Sequence, residues 1–470
     1  MGRLIPATPF TGRVNELNRL EGIYGSGKFE CVILHGRMRV GKTALLREFV
    51  RDKKFIYFAA QETHSGENLT DLSRSIDAFR NAPAGQPRGM DRSIRSFDDA
   101  LRSVFEMAIH ERIVFIIDDY QFLAVAQRGM SELICEHIDT SFLKSRLMLV
   151  ICGSSESVME KETLGFHSPF HGRRTAQMKL MPFSFFEAKR YYSEFSLFDI
   201  AVLYGMTGGV PKYLELMDSD RSIEDNIRQS FFDTSSYLFE ETANLLRREV
   251  RDPAYYNAVL RAIAAGCTKN SEIAARVGLE TSAVTAYLNN LISFGLVAKY
   301  TPIAERSGRK TIYEICDNFF RFWYRFVPDN ISYIMSGQAD KIWRSFAGDI
   351  PAFMSLVFTD ICRQWLEQQN QAGNLPFDIV ETGRWWGFDP ALKSDVYIPI
   401  VAYSDDNHAI FCDCEWSDEP VPADTLASLV ERSRLLRYPD SFYFLFSKSG
   451  FSDECADLAQ HFGANLVMFE

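Results

Sequence analysis

The stretch HGRMRVGKTALLREFV, residues 35–50, decides the fold. Eight of its residues, Gly36, Arg37, Met38, Arg39, Val40, Gly41, Lys42 and Thr43, spell a complete GxxxxGK[ST] pattern. Ahead of them FECVIL (29–34) reads as a short buried strand, and behind them Leu45, Leu46 and Phe49 recur at helical spacing. Strand, glycine loop and helix form the setting a polyphosphate requires. The glycines let backbone N–H groups turn onto the phosphates, and the helix presents its positive end around Thr43 and Ala44. Lys42 reaches the β and γ oxygens, and the Thr43 hydroxyl ligates Mg²⁺. The stretch predicts a P-loop site for ATP or ADP with Mg²⁺.

A nucleotide site of this kind needs an acidic strand end beside the loop. RIVFIIDDYQFLA (112–124) supplies it, an apolar run feeding into Asp118 and Asp119. Asp118 is expected to hold Mg²⁺, and Asp119 to orient or deprotonate the attacking water. The next strand-like run, RLMLVICGSS, ends in Ser154 and Ser155, where Ser154 is placed to sense the γ-phosphate. HGRRTAQMKLMPF (171–183) then sets Arg173 and Arg174 ahead of a fifth strand. An arginine there, acting within the chain or on a neighbouring copy, would neutralise charge on the transferring phosphoryl group. Action on a neighbour would require an oligomer.

At 470 residues the chain exceeds one ordinary hydrophobic core, and about 150 residues per domain suggests about three units. Apolar residues are 46% and charged residues 24%, a globular balance. The aliphatic runs IVFII and LMLVIC are far too short to span a bilayer, and no secretory leader is recognisable, so a cytoplasmic protein with no membrane partner is expected. Nine cysteines without a CxxC pair fit a reducing compartment. The net charge of −11 is concentrated at one end: residues 331–470 hold 9 Lys+Arg against 21 Asp+Glu. Residues 254–326, with 9 basic and 5 acidic, form a mild basic island.

The middle of the chain is helical from 183 to 250, as expected of a lid, and Pro253 marks a boundary. Beyond it come three helical segments with a turn at Gly278, Ser271 and Thr281 standing at expected N-caps. LVAKYTPIAERSGRKTIYEI completes a winged helix, with Ser307 and Gly308 at the wing tip. The second of these helices would present Thr281, Ser282, Thr285 and Asn289 to DNA, while Arg306, Arg309 and Lys310 grip phosphates. Relay of nucleotide state to a protein partner is the alternative. The aromatic string DNFFRFWYRFV (317–327) reads as a core wedge between domains.

PFTGRVNEL, with Phe10, Gly12, Arg13 and Glu16, resembles the leader that cradles the adenine side in STAND-class ATPases of the AAA+ lineage. The arginine-rich phosphate loop, the Asp-acid pair before Tyr-Gln-Phe-Leu, Cys-Gly-Ser-Ser, Gly-Arg-Arg and TGGVPKYLE (207–215) all recur in the archaeal-type ATPase family. The resemblance implies a role for Arg13 and for Pro211 near the base. It also exposes a departure, since that family usually has Asp-Glu where this chain has Asp118-Asp119. The shorter carboxylate implies slow hydrolysis and a switch rather than a motor.

Residues 328–470 resemble the domain of unknown function that accompanies this ATPase, itself similar to the PD-(D/E)XK nuclease fold. The resemblance implies a second metal set at Asp395, Asp413 and Glu415, with Asp360 on the preceding helix. The lysine expected beside them is replaced by Glu415, which implies a degenerate domain. The expected architecture is therefore an α/β P-loop NTPase core (1–182), a helical lid (183–252), a winged helix (253–327) and a restriction-endonuclease-like α/β domain (328–470). Its rivals are an ATP-licensed, metal-dependent DNA nuclease and a non-catalytic DNA-binding regulator.

Overall fold

The computed structural model describes residues 10–81, 94–192, 194–250, 252–303 and 310–469. The chain divides into two compact units, residues 1–183 with 210–212, and residues 184–209 with 213–470. The expected three-helix segment and C-terminal domain fall within the second, as does the expected lid except for Phe183 and residues 210–212.

The first unit is built on a five-stranded parallel sheet of β1 (Glu30–His35), β2 (Phe55–Ala59), β3 (Ile113–Asp118), β4 (Leu147–Gly153) and β5 (Ala176–Lys179), in the order β2-β3-β4-β1-β5. A parallel sheet carries helices on both faces, so its strands are apolar throughout. Alternate residues feed two cores. Cys31, Ile33, Phe115, Ile117, Leu149 and Ile151 face one way, while Val32, Leu34, Val114, Ile116, Met148 and Val150 face the other. The helix Lys42–Phe49 packs on the second face through Leu45, Leu46 and Phe49, each worth about 1.5–3 kcal/mol of burial. That packing holds the start of the helix against the end of β1.

In the second unit, helices Pro253–Ala264, Asn270–Val277 and Thr281–Ser293 precede an antiparallel ribbon of β6 (Val297–Tyr300) and β7 (Ile312–Ile315). Gly278 closes the second of these helices in the left-handed region, φ 74°. The expected N-caps are corrected. Ser271 lies inside its helix, and the Glu272 carboxylate reaches back to the N–H groups of Thr268 and Lys269 just ahead of it, both at 3.1 Å; Thr281 is the first helical residue after Glu280. The aromatic helix Asn318–Phe326 is core: Phe319 meets Tyr213 at 4.7 Å, and Phe322 meets Phe231 at 4.6 Å and Phe353 at 5.5 Å between ring centroids.

The C-terminal sheet contains β8 (Glu381–Asp389), β9 (Ser394–Tyr403), β10 (His408–Glu415), β11 (Asp440–Ser447) and β12 (Asn465–Met468), ordered β12-β11-β10-β9-β8. The first three pair antiparallel; β10, β11 and β12 run parallel, connected by helices Ala423–Ser433 and Asp453–Phe462. The stretch 340–371 is long and apolar enough by length and composition to cross a membrane. Its Phe358, Cys362 and Leu366 nevertheless sit in the core under the sheet.

Candidate functional site

The phosphate loop leaves β1 through Gly36 at φ 146°, where a Cβ would lie 2.3 Å from the Leu180 carbonyl oxygen. Only glycine fits there. Arg39 (φ 70°) and Gly41 (φ 94°) carry the left-handed turns that curl the loop back into the helix. The Lys42 ammonium donates to the Gly36 carbonyl at 2.7 Å and the Arg37 carbonyl at 2.9 Å, so its charge lies across the mouth of the loop. Arg37 and Met38 are half-buried along it, Val40 is fully buried, and Ala44 is exposed in the first helical turn. Pro211 comes close on one side, its Cγ 3.9 Å from where a Cβ on Gly41 would be.

Arg13 is a brace rather than a free cation. Only 4% exposed, it donates to the Val40 carbonyl at 2.9 Å and the Met181 carbonyl at 2.6 Å, pairs with Glu16 at 3.1 Å, and lies over the Phe183 ring at 4.6 Å. It ties the phosphate loop to the segment after β5.

The acidic strand end meets the loop. Thr43 Oγ1 donates to Asp118 Oδ2 at 2.7 Å, and Asp118 is 3% exposed. The Tyr57 hydroxyl, which sequence reasoning missed, donates to the same oxygen. Burial and the adjoining Asp118 charge push that phenol well above its usual range. Asp119 follows at φ 51° and heads the helix Tyr120–Ala126; its N–H donates to Asp118 Oδ1 at 2.9 Å. Asp119 Oδ1 accepts from Gln121 Nε2 at 3.0 Å, and Gln121 also bonds Ser154 at the end of β4. Asp118, Asp119 and Ser154 thus share one polar cluster with Thr43.

A second bridge was not legible either. His35, at the end of β1 and 3% exposed, faces Glu156 at 3.5 Å, and Lys179 on β5 donates to the same carboxyl group at 3.0 Å. Burial alone would raise Glu156, but His35 and Lys179 hold it below the usual glutamate range.

Arg173 and Arg174 are engaged locally. Arg173 forks onto Asp139 with two bonds of 2.8 Å, and Arg174 donates to the Thr163 carbonyl at 2.7 Å.

In the second unit, a cavity of about 220 Å³ is lined by Glu314, Arg321, Asp360, Arg384, Asp413 and Arg432. Its acids are paired with guanidiniums: Asp413 with Arg432 at 2.6 Å, Asp360 with Arg321 at 3.2 Å and Arg363 at 3.0 Å, Glu314 with Arg384 at 2.7 Å. Among the described residues no three His, Cys, Asp or Glu side chains converge as a metal-holding group, so the expected set of Asp395, Asp413 and Glu415 is not assembled. Asp395 is exposed near the start of β9, while Arg432 rises from the next helix to take Asp413. Burial and the neighbouring Asp413 raise the Glu415 carboxyl.

Of the expected DNA-facing residues, Thr281, Ser282 and Asn289 are exposed, whereas Thr285 bonds Asn270 at 2.7 Å and the Thr281 carbonyl at 2.8 Å. Lys310 is exposed; Arg306, Ser307, Gly308 and Arg309 lie outside the described residues.

Residues 10–217 match the model of an ATPase domain found predominantly in Archaea, and residues 323–427 that of archaeal and bacterial proteins of unknown function. An uncharacterized protein of Methanocaldococcus jannaschii is 28% identical over 411 residues, 87% of this chain and 88% of that one. An uncharacterized ATP-binding protein of the same organism is 44% identical over 45 residues, 10% of this chain and 76% of its own length. A Walker-type ATPase of Pyrococcus abyssi shares the fold with a TM-score of 0.53 at 21% identity, covering 67% of this chain and 96% of that one.

Proposed function

We propose that this chain, whose residues 10–217 match an ATPase domain found predominantly in Archaea and whose residues 323–427 match archaeal and bacterial proteins of unknown function, is a slow, Mg²⁺-dependent ATPase that works as a nucleotide-controlled switch. The observation that carries the reading is the 2.7 Å bond from the Thr43 hydroxyl to Asp118, next in the chain to Lys42, whose ammonium lies on the Gly36 and Arg37 carbonyls of the loop. A hydroxyl and a carboxylate converging beside a phosphate loop are a hard oxygen set that suits Mg²⁺. Thr43 and Asp118 would hold the ion, which would supply charge neutralisation to the phosphate oxygens.

The remaining work falls to the chain. Lys42 exchanges its carbonyl partners for phosphate oxygens and offsets their charge. Asp119 orients the attacking water and draws its proton, and Ser154 meets the γ-phosphate. Because Asp119 is a methylene shorter than a glutamate, its reach to water is reduced, and an error of about 1 Å costs on the order of a hundredfold in rate. Arg13 acts on the nucleotide through the loop it braces. Pro211 belongs to a segment, 210–212, that folds with the nucleotide unit while both flanks fold with the second. This supports a reading in which ATP and ADP favour different arrangements of the winged helix and the nuclease-like domain. Arg173 and Arg174 serve as an arginine finger, in cis or in trans, only on leaving Asp139 and Thr163.

The nuclease-like domain serves as a protein-binding fold on this reading, because guanidiniums pair the acids that a metal would need. ATP turnover by wild type and Lys42→Ala, with and without DNA, tests the switch; equal rates in the two proteins would refute it. Plasmid nicking with Mn²⁺ or Mg²⁺ that disappears in Asp395→Ala would transfer the function to the C-terminal domain. A salt-sensitive DNA shift dependent on Arg309 and Lys310 would favour the DNA-binding regulator instead.

A further inference from the structure

Asp119 heads its helix in the left-handed region without a side-chain cap, and one of its carboxylate oxygens is claimed by Gln121. The Gln121 amide nitrogen donates to Asp119 Oδ1 at 3.0 Å and to Ser154 Oγ at 3.1 Å, while its carbonyl oxygen accepts the Ser154 N–H at 3.1 Å. The amide cannot be turned over without loss. A backbone N–H must meet an oxygen, and a carboxylate must meet an N–H, so two partners of fixed polarity set its orientation. Three of its four possible hydrogen bonds are made in a setting 7% exposed. Gly153 closes the pocket, since a Cβ there would stand 3.0 Å from Gln121 Oε1 and 2.2 Å from Met159 Sδ.

We infer that Gln121 is the positioning residue of the hydrolytic step, fixing the Asp119 carboxylate against Ser154 so that the three side chains act as one unit. The inference rests on the reading that Asp119 handles the attacking water and deepens it. An aspartate at a strand end turns about two side-chain torsions. A donor anchored on the neighbouring strand removes the freedom of the second and commits one oxygen, so the short arm keeps a single direction. The same bridge makes Asp119 answer to Ser154: whatever the γ-phosphate does to the serine is passed to the carboxylate through one rigid amide.

Steady-state ATP turnover and direct ATP binding are measured for Gln121→Leu and Gln121→Glu, each with Asp119 intact and with Asp119→Glu. Gln121→Leu is expected to lower kcat about tenfold to a hundredfold while ATP affinity stays within about twofold, since the bridge directs water rather than phosphate. Gln121→Glu keeps the shape but sets a second carboxylate against the first. Its turnover should fall at least as far as that of Gln121→Leu, because the donor is lost and two carboxylates face each other. Asp119→Glu in the Gln121→Leu background should regain rate, because the longer arm reaches without the bridge; a merely structural glutamine would not be rescued this way. Wild-type turnover in Gln121→Leu, or no rescue in the double variant, overturns the inference. Unchanged turnover in Asp119→Ala would instead overturn the reading of Asp119 beneath it.

Discussion

Replacing Arg13 with alanine removes a brace whose strength can be worked from its contacts. Two charge-assisted hydrogen bonds, to the Val40 and Met181 carbonyls, are lost, at about 1.5–3 kcal/mol each. The stacked Phe183 contact adds about 0.5–2 kcal/mol and the half-buried Glu16 pair up to about 1 kcal/mol. These terms overlap, because one side chain makes them all, so the expected loss is about 4 kcal/mol rather than their sum. In a unit of this size each kcal/mol moves the midpoint about 2–4 °C, which predicts a fall of about 8–16 °C in the melting of the nucleotide-binding unit. ATP affinity should drop with it by about tenfold, since Val40 belongs to the loop whose N–H groups face the phosphates. Calorimetry paired with direct nucleotide binding reads both. Lysine at this position can reach one carbonyl but not both and should recover less than half of each effect. A midpoint shift under about 3 °C with unaltered ATP affinity would refute the brace.

Other expectations are as direct. Lys42→Ala should reduce ATP turnover by more than about a hundredfold, measured as phosphate release, because it removes the charge aimed at the transferring group. Glu156 has its folded carboxyl depressed, so its stabilisation is present above the unfolded pKa and lost as pH falls through the folded one; acid melting should flatten in Glu156→Gln. Arg432→Ala strands the buried Asp413 carboxylate and should cost about 3–5 kcal/mol in urea unfolding, a loss that Asp413→Asn in the same chain partly reverses. With a thiol reagent at neutral pH, Cys267 should react first. Cys316 is likewise only partly exposed, and desolvation of its thiol pushes it up to about 11; the other cysteines are buried.

What could be read from the chain depended on how local the determining physics was. Strands β1, β3 and β4 were legible because a sheet covered on both faces demands unbroken apolar runs, and the loop because its glycines answer to a backbone geometry fixed within eight residues. Asp118 beside Thr43 followed from the same logic. Gln121 was invisible: two positions past Asp119 it reads as a helix start, and its partner Ser154 is on another strand. Tyr57 likewise reads as one more aromatic in a short strand until its hydroxyl is seen on Asp118. The misplaced N-cap at Ser271 has a local cause, since Glu272 does from within the helix what a cap residue does from outside. Arg432 on Asp413 could not be anticipated from acids at nuclease-like spacing, because the cation arrives from the following helix.

Ile303, just past β6, is 4% exposed and packs among Ile398, Val401, Phe411 and Leu445 of the C-terminal sheet. Its N–H donates to the Arg384 carbonyl at 2.9 Å, and Gly383 leaves it room, a Cβ there coming within 3.3 Å of Ile303 Cδ1. A residue from the ribbon therefore completes the interior of a sheet that begins some eighty positions later in the chain. The point near residue 328 where the sequence changes character is no seam for cutting. A fragment starting there would expose a hole in its own interior, and a ribbon grafted elsewhere would carry an orphaned greasy plug. Any swap of parts between relatives must move both pieces together.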